Sequence, residues 1–302
     1  MPEKWNVTEA EMKILLRLWD RNPQTMMELT RALEAAGIEE AAYEASLLLE
    51  HFAGVSSASL MLDRAKCYDV PALDAAVARR LERYPLQYIL GRWEFFGLPF
   101  SVSEDCLIPR PDTECLVERA IRAIPAGGRF ADLCTGSGCI AVATLVHRPD
   151  LTAVALELYP NTLRIAEENA LGNRVSERFI PICADLLHGG VEALASHAPF
   201  DAILSNPPYI PTAVIGGLSP EVHSEPYAAL DGGADGMTFY RAILRDYAPL
   251  VKPGGIILLE MAFDQTEDLK ALAAEHLPRA HVEILRDLGG NDRVTKIILP
   301  TD

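Results

Sequence analysis

The sequence predicts a Rossmann-like α/β domain built on a seven-stranded, mostly parallel sheet, preceded by a small N-terminal helical bundle and a β-hairpin linker. Three observations carry that expectation. From about residue 109 short apolar strand-like runs alternate with helical stretches, which gives a parallel sheet covered on both faces. The last two of those runs are separated only by LGGND, so they form an antiparallel hairpin with one reversed strand. Residues 1–84 read as helical throughout, in segments that close on Gly or Pro. A chain of 302 residues has room for both parts.

In the first segment, PQTMMELTRALEAAG places Met27, Leu29 and Leu33 within helical reach and ends at Gly37, a C-terminal cap. EAAYEASLLLEHFAG repeats the design with Ala45, Leu48, Leu49 and Phe52, and stops at Gly54. VPALDAAVARRLERYP sets Leu73, Val77 and Leu81 on one face, with Pro85 as breaker. Nothing here has catalytic spacing, so residues 1–84 are expected to serve substrate recognition. Residues 85–108 alternate aromatic and β-branched residues around Gly91 and Gly97, the pattern of a short hairpin linking two domains. Residues 109–302 supply the strands RFADLCT, TAVALEL, RFIPICA, FDAILSN, GIILLEM, HVEILRD and RVTKIILP. Helices such as YPNTLRIAEENALG and GMTFYRAILRDYAPLV fit between them.

Composition narrows the function classes. With 49% hydrophobic and 23% charged residues the chain has the balance of a soluble globular protein. Its formal charge of −16 argues against direct nucleic-acid binding, which needs a surplus of Lys and Arg to displace counterions. The apolar runs fall short of a membrane span. MPEKWNVTEAEMKILLRLWD mixes charges with apolar residues and does not read as a signal peptide, so a cytoplasmic protein is expected. The six cysteines are scattered without CxxC or zinc-type spacing, which predicts reduced core thiols and no metal site.

Ligands of such sheets bind at the carboxyl ends of the strands, near the switch in strand order. Three strand ends carry suggestive residues. In ADLCTGSGCIAV, Gly136 and Gly138 let the backbone turn and approach a ligand before a helix starts, although TGSG also suits an ordinary strand-to-helix turn. Glu157 ends the next strand about twenty residues on, where a carboxylate can accept both hydroxyls of a ribose. A solvated glutamate is the alternative. Asp185 ends the third strand, where it can accept from an adenine amino group with Leu186 against the ring, or cap a helix. P-loop, GxSxG and HExxH motifs are absent, and the seven histidines lie apart.

The fourth strand run ends in SNPPYI, where the two prolines break any continuation of the strand. Asn206 offers an acceptor oxygen and Pro207 a carbonyl held by a rigid backbone. Together they can take both hydrogens of a planar NH2 group, with Tyr209 packed on its face. A plain strand-terminating turn is the competing reading.

NPPY after the fourth strand resembles the signature of methyltransferases that alkylate planar amino nitrogens, both N6-adenine and glutamine N5 enzymes. PLQYILGRWEFFGLPF followed by LIPRPDTECLVE is similar to the linker and motif of the release-factor glutamine methyltransferases of the HemK/PrmC type. DLCTGSGCIA, SEPYAALDGGADG and the closing DLGGNDRV extend that likeness over essentially the whole chain. The resemblance implies S-adenosylmethionine at Cys134, Thr135, Gly136, Ser137 and Gly138, with Glu157 on its ribose and Asp185 and Leu186 around its adenine. Asn206 also borders the cofactor. Asn206, Pro207, Pro208 and Tyr209 would hold the substrate glutamine, with catalysis assigned to Asn206, Pro207 and Tyr209. Arg110, Pro111 and Thr113 belong to a motif bordering the cofactor. The family usually has Gly where this chain has Cys134, and commonly Asp where it has Glu157.

By this likeness the substrate is the glutamine of the GGQ motif in peptide-chain release factors, methylated on N5 by a monomeric cytoplasmic enzyme. A ribosomal-protein glutamine is the alternative substrate. N6-adenine methylation of nucleic acid is disfavoured by the charge, and an intact NPPY speaks against a non-catalytic module. An amide nitrogen is a weak nucleophile, so placement against the methyl donor is the expected source of rate.

Overall fold

The computed structural model describes residues 24–301. The first part of the expected helical domain, including the twenty residues read against a signal peptide, lies outside the described residues. The chain forms two compact units, one of residues up to Leu90 together with Pro220–Ser224, the other of Gly91–Ser219 and Glu225 onward.

In the first unit a two-residue strand β1 (Gln24–Thr25) leads into helix α1 (Met26–Ala35). A capping box starts that helix. Thr25 Oγ1 accepts from Glu28 N at 3.2 Å, and Thr25 N donates to Glu28 Oε2 at 3.0 Å. Met26, Leu29 and Leu33, at i, i+3 and i+7 on one face, are buried, whereas Met27, expected on that face, is 44% exposed. Helices α2 (Ala41–Ala53), α3 (Ser57–Leu62), α4 (Pro71–Leu81) and α5 (Leu86–Leu90) complete the bundle. The unit is not helical throughout, because β2 (Cys67–Tyr68) pairs antiparallel with β1. It also runs past the expected limit at residue 84, since Leu86 and Tyr88 of α5 are buried. The buried Arg80 guanidinium donates to both Glu44 oxygens, at 2.5 and 3.0 Å, and to Glu221 at 3.1 Å. Those bonds hold Pro220–Ser224 in this unit.

The second unit opens with the expected hairpin, β3 (Arg92–Phe95) and β4 (Leu98–Ser101). Its two-residue turn, Phe96–Gly97, has positive φ at both positions, which matches the twist of a hairpin. Helix α6 (Glu114–Ala123) follows, and Glu114 accepts from Phe96 N at 2.8 Å. The main sheet contains β5 (Arg129–Leu133), β6 (Thr152–Glu157), β7 (Phe179–Cys183), β8 (Phe200–Ser205), β9 (Val251–Glu260), β10 (His281–Arg286) and β11 (Asp292–Ile298). Its order is β10-β11-β9-β8-β5-β6-β7, and β11 alone runs against its neighbours. Every strand drawn from the sequence is present.

Both faces are packed. Phe130, Ala153 and Leu204 point into one core, and Ala131, Val154 and Ile203 into the other, as the two-residue period of a strand requires. Helices α7 (Cys139–His147), α8 (Pro160–Gly172), α9 (Gly190–Ala195), α10 (Thr212–Ile215), α11 (Thr238–Ala242) and α12 (Thr266–His276) lie between strands. The single helix expected over 236–251 is instead α11 followed by a π turn, Ile243–Tyr247, and a 3₁₀ turn, Ala248–Leu250. The wide turn carries Tyr247, whose buried hydroxyl donates to Leu186 O at 2.7 Å.

The switch in strand order lies between β5 and β8, where Leu133 pairs with Ser205. The loops after these two strands therefore leave the sheet side by side.

Candidate active site

The loop after β5 turns sharply. Thr135 N donates to Leu156 O at 3.0 Å, and Gly138 N to Thr135 O at 2.8 Å. Gly138 has φ +78°, and a Cβ there would come within 3.0 Å of Ala166 Cβ, so only glycine fits this start of α7. Cys134 takes φ +57° with a side chain attached, in a left-handed conformation that glycine adopts without penalty.

Asp132 anchors the loop from below. Its fully buried carboxyl accepts from Thr135 Oγ1 at 2.6 Å and from Ala141 N at 3.2 Å, which ties the loop to α7. Burial pushes its pKa up to about 7. From the other side Asn169 Nδ2 donates to Ser137 O at 2.9 Å and to Ser101 O at 3.0 Å, linking the loop to the hairpin.

Glu157 follows β6 and turns back toward the glycines. Oε2 accepts from Gly136 N at 2.9 Å, and Oε1 accepts from Leu158 N at 2.9 Å and Tyr159 N at 3.2 Å. Burial raises its pKa, and the three backbone N–H groups oppose the shift. A carboxylate has about four lone-pair directions, so one on Oε2 stays open for a ligand hydroxyl. Asp185, after β7, accepts from Leu187 N at 2.8 Å and faces His188 Nδ1 at 3.0 Å, which together lower its pKa although part-burial acts the other way.

The loop after β8 carries Asn206, whose Nδ2 donates to Thr113 Oγ1 at 3.2 Å. That bond turns Oδ1 away from Thr113. The NPPY backbone is clamped from behind, with Gln265 Nε2 donating to Tyr209 O at 2.9 Å. Ile210 N donates to Leu230 O at 3.0 Å, and Gly232 N to Ile210 O at 2.9 Å. A Cβ on Gly236 would stand 2.3 Å from Tyr209 O, and one on Gly232 2.7 Å from Tyr209 Cα. The glycines of the DGGADG stretch thus let that segment lie directly on the NPPY backbone.

These loops enclose one cleft of ≈ 930 Å³, counting its open mouth. Of the residues singled out from sequence, Arg110, Thr113, Cys134, Thr135, Gly136, Ser137, Glu157, Asp185, Leu186, Asn206 and Pro208 line it. Pro111, Gly138, Pro207 and Tyr209 do not; Pro207 is buried, and burial raises the pKa of the Tyr209 hydroxyl. Pro226, Ala228, Ala229 and Phe239 form an apolar wall that sequence reasoning missed. Asp105, Glu157 and Asp185 line the cleft, while Arg110 is paired with the buried Glu225, which also accepts from Ile108 N at 3.1 Å. The cleft thus favours a cationic ligand.

Other expectations are modified. All six cysteines are free, but Cys67 and Cys183 are exposed rather than core thiols. Among the described residues no helix is long and apolar enough to cross a membrane.

Residues 24–91 match the family model described as PrmC N-terminal domain, and residues 111–215 match that described as methyltransferase small domain. A release factor glutamine methyltransferase of Rhodospirillum rubrum is 38% identical over 290 residues, spanning 94% of this chain and 85% of that relative. Another, of Geobacter sulfurreducens, is 41% identical over 256 residues, spanning 80% of this chain and 84% of that protein. Among solved structures, the catalytic domain of hMettl16, crystallised with an RNA hairpin, superposes with a TM-score of 0.55 at 15% identity. The match covers 86% of this chain and 92% of that one, and bears on the fold alone.

Proposed function

This chain belongs to the release factor glutamine methyltransferase family, and from that premise we propose that it methylates N5 of the glutamine in the GGQ motif of peptide-chain release factors. Its methyl donor is S-adenosylmethionine, and the acidic cleft suits that group's sulfonium and ammonium charges. In our reading Glu157 takes the ribose, Asp185 and Leu186 the adenine, and the Cys134–Gly138 loop the methionine end. Arg110 shapes this wall through its pair with Glu225.

The single observation that carries the substrate site is the hydrogen bond from Asn206 Nδ2 to Thr113, which leaves Oδ1 as the free end of the amide. Asn206 Oδ1 and the Pro207 carbonyl then accept the two hydrogens of the substrate NH2, and Pro208 and Tyr209 complete the grip. When bound, the cofactor supplies an electrophilic methyl on a sulfonium. The chain's own contribution is placement, which fixes the amide nitrogen at attack distance and orientation. The two acceptor dipoles stabilise the positive charge that develops on that nitrogen. No side chain is assigned as general base, and the proton leaves to water after transfer.

The helical unit serves substrate recognition in this reading, and the enzyme works as a cytoplasmic monomer without direct nucleic-acid contact. Incubation with radiolabelled S-adenosylmethionine and, separately, release factors, ribosomal proteins and duplex DNA tests the proposal. Label in release factors is expected. Label confined to ribosomal protein or to DNA would replace the substrate.

A further inference from the structure

The closing motif DLGGNDRV has no role in the scheme above, and neither has Asp112 of the RPDT stretch. The structure joins the two. Pro111–Thr113 is a 3₁₀ turn, closed by Thr113 N donating to Arg110 O at 3.0 Å. The Thr113 hydroxyl, on a residue 1% exposed, accepts from Asn206 Nδ2 at 3.2 Å. Both charged side chains of this turn are gripped from outside it. Arg110 is paired with Glu225, whose other oxygen accepts from Ile108 N at 3.1 Å. Asp112 is paired with Arg293 of β11 at 3.3 Å.

Arg293 is itself held. Its Nε and Nη2 donate to Asp287 Oδ2 at 3.2 and 3.1 Å, and Asp287 Oδ1 closes the β10–β11 turn by accepting from Asn291 N at 3.0 Å. Its backbone is fixed at the end of β9, where Met261 N donates to Arg293 O at 2.9 Å. The side chains of Arg293 and Asp287 are 13% and 7% exposed, and only Asp112 is half in solvent. One planar guanidinium thus ties the hairpin of β10 and β11 to the turn that carries Thr113, a bridge its forked donors can make.

We propose that Arg293 is a positioning residue for Asn206: through Asp112 it holds the 110–113 turn so that Thr113 takes Asn206 Nδ2 and Oδ1 is left for the substrate. The inference rests on the proposed role of Asn206 and adds what holds it in place. Arg110 and Thr113 line the cleft, whereas Asp112 and Arg293 do not. The two grips therefore differ in effect. Loosening Glu225 disturbs the cofactor wall, while loosening Arg293 leaves the pair of Arg110 with Glu225 in place and reaches the reaction through Thr113 and Asn206.

Asp112→Asn keeps the shape of a half-exposed side chain, so the variant folds, and kcat toward a release factor should fall about 3- to 5-fold, the scale of one partly exposed ion pair. Arg293→Met also leaves Asp287 without its cation and should lower kcat about 10-fold or more. In both variants Kd for S-adenosylmethionine, measured by calorimetry, should change less than about 2-fold. In an Asn206→Ala background either change should lower kcat less than about 2-fold further, because the path ends at Asn206. A general loosening of the fold would add its full cost there. Wild-type kcat in both Asp112→Asn and Arg293→Met overturns the proposal, as do losses that multiply in full with that of Asn206→Ala. Wild-type kcat in Asn206→Ala itself would instead remove the reading on which the proposal rests.

Discussion

Replacing Asn206 by alanine tests the substrate grip. It removes Oδ1, one of two preorganised acceptors, and the 3.2 Å bond from Nδ2 to Thr113. Loss of one preorganised group acting on transition-state charge costs about 2.7–4 kcal/mol, or roughly 10²–10³ in kcat. The neutral bond to Thr113 contributes about 1 kcal/mol net, so its effect on cofactor binding stays below roughly 10-fold. The Pro207 carbonyl belongs to the backbone and survives, which leaves residual turnover. Single-turnover methyl transfer at saturating S-adenosylmethionine measures the first quantity, and calorimetric titration with S-adenosylmethionine the second. We expect at least a ~100-fold loss of rate with Kd raised less than ~10-fold. A rate within about 3-fold of wild type, or a loss confined to cofactor affinity, would refute the reasoning.

Three other outcomes follow from the same geometry. Glu157→Gln sets an NH2 group against backbone donors that now face carboxylate oxygens, and should weaken S-adenosylmethionine binding by about 10- to 100-fold in calorimetry while kcat at saturation holds. Gly236→Ala drives a Cβ to 2.3 Å from Tyr209 O, and steady-state assays should show turnover down about 10-fold or more with cofactor Kd little changed. Burial raises Asp132 and Glu260 from ordinary values of 3.8 and 4.5 to about 7, so between these limits the folded chain binds more protons than the unfolded chain. Stability must then fall as pH rises from about 5 to 8, seen as a lower calorimetric Tm, and Glu260→Gln should flatten that slope.

The strands of the second unit were legible because each is a short apolar run buried on both faces, and runs such as FDAILSN have no other stable place. Spacing along the chain brought the TGSG turn, Glu157 and Asp185 to neighbouring strand ends, and the structure puts them around one cleft. The β1–β2 pair escaped notice because two residues per strand carry no period. Met26 and Met27 are equally apolar, but Met26 stands three before Leu29 and seven before Leu33 on one helix face, whereas Met27, two before Leu29, falls on the other side. The buried carboxylates were illegible for a different reason. Glu225 finds its partner, Ile108 N, 117 positions away, and Glu260 is buried only once β9 lies between its neighbours, so both environments exist only in the assembled sheet. Likewise Gly232 and Gly236 look like loop glycines until Tyr209 lies against them. The left-handed Cys134 was visible only as a departure from the family's glycine.

The most direct test of the central claim is tandem mass spectrometry of a peptide-chain release factor after incubation with this protein and S-adenosylmethionine. The account predicts one added methyl group, located on the side-chain nitrogen of the GGQ glutamine and absent when Asn206→Ala replaces the wild-type enzyme. A methyl group on any other residue, or an unmodified release factor beside a methylated ribosomal protein, would contradict it.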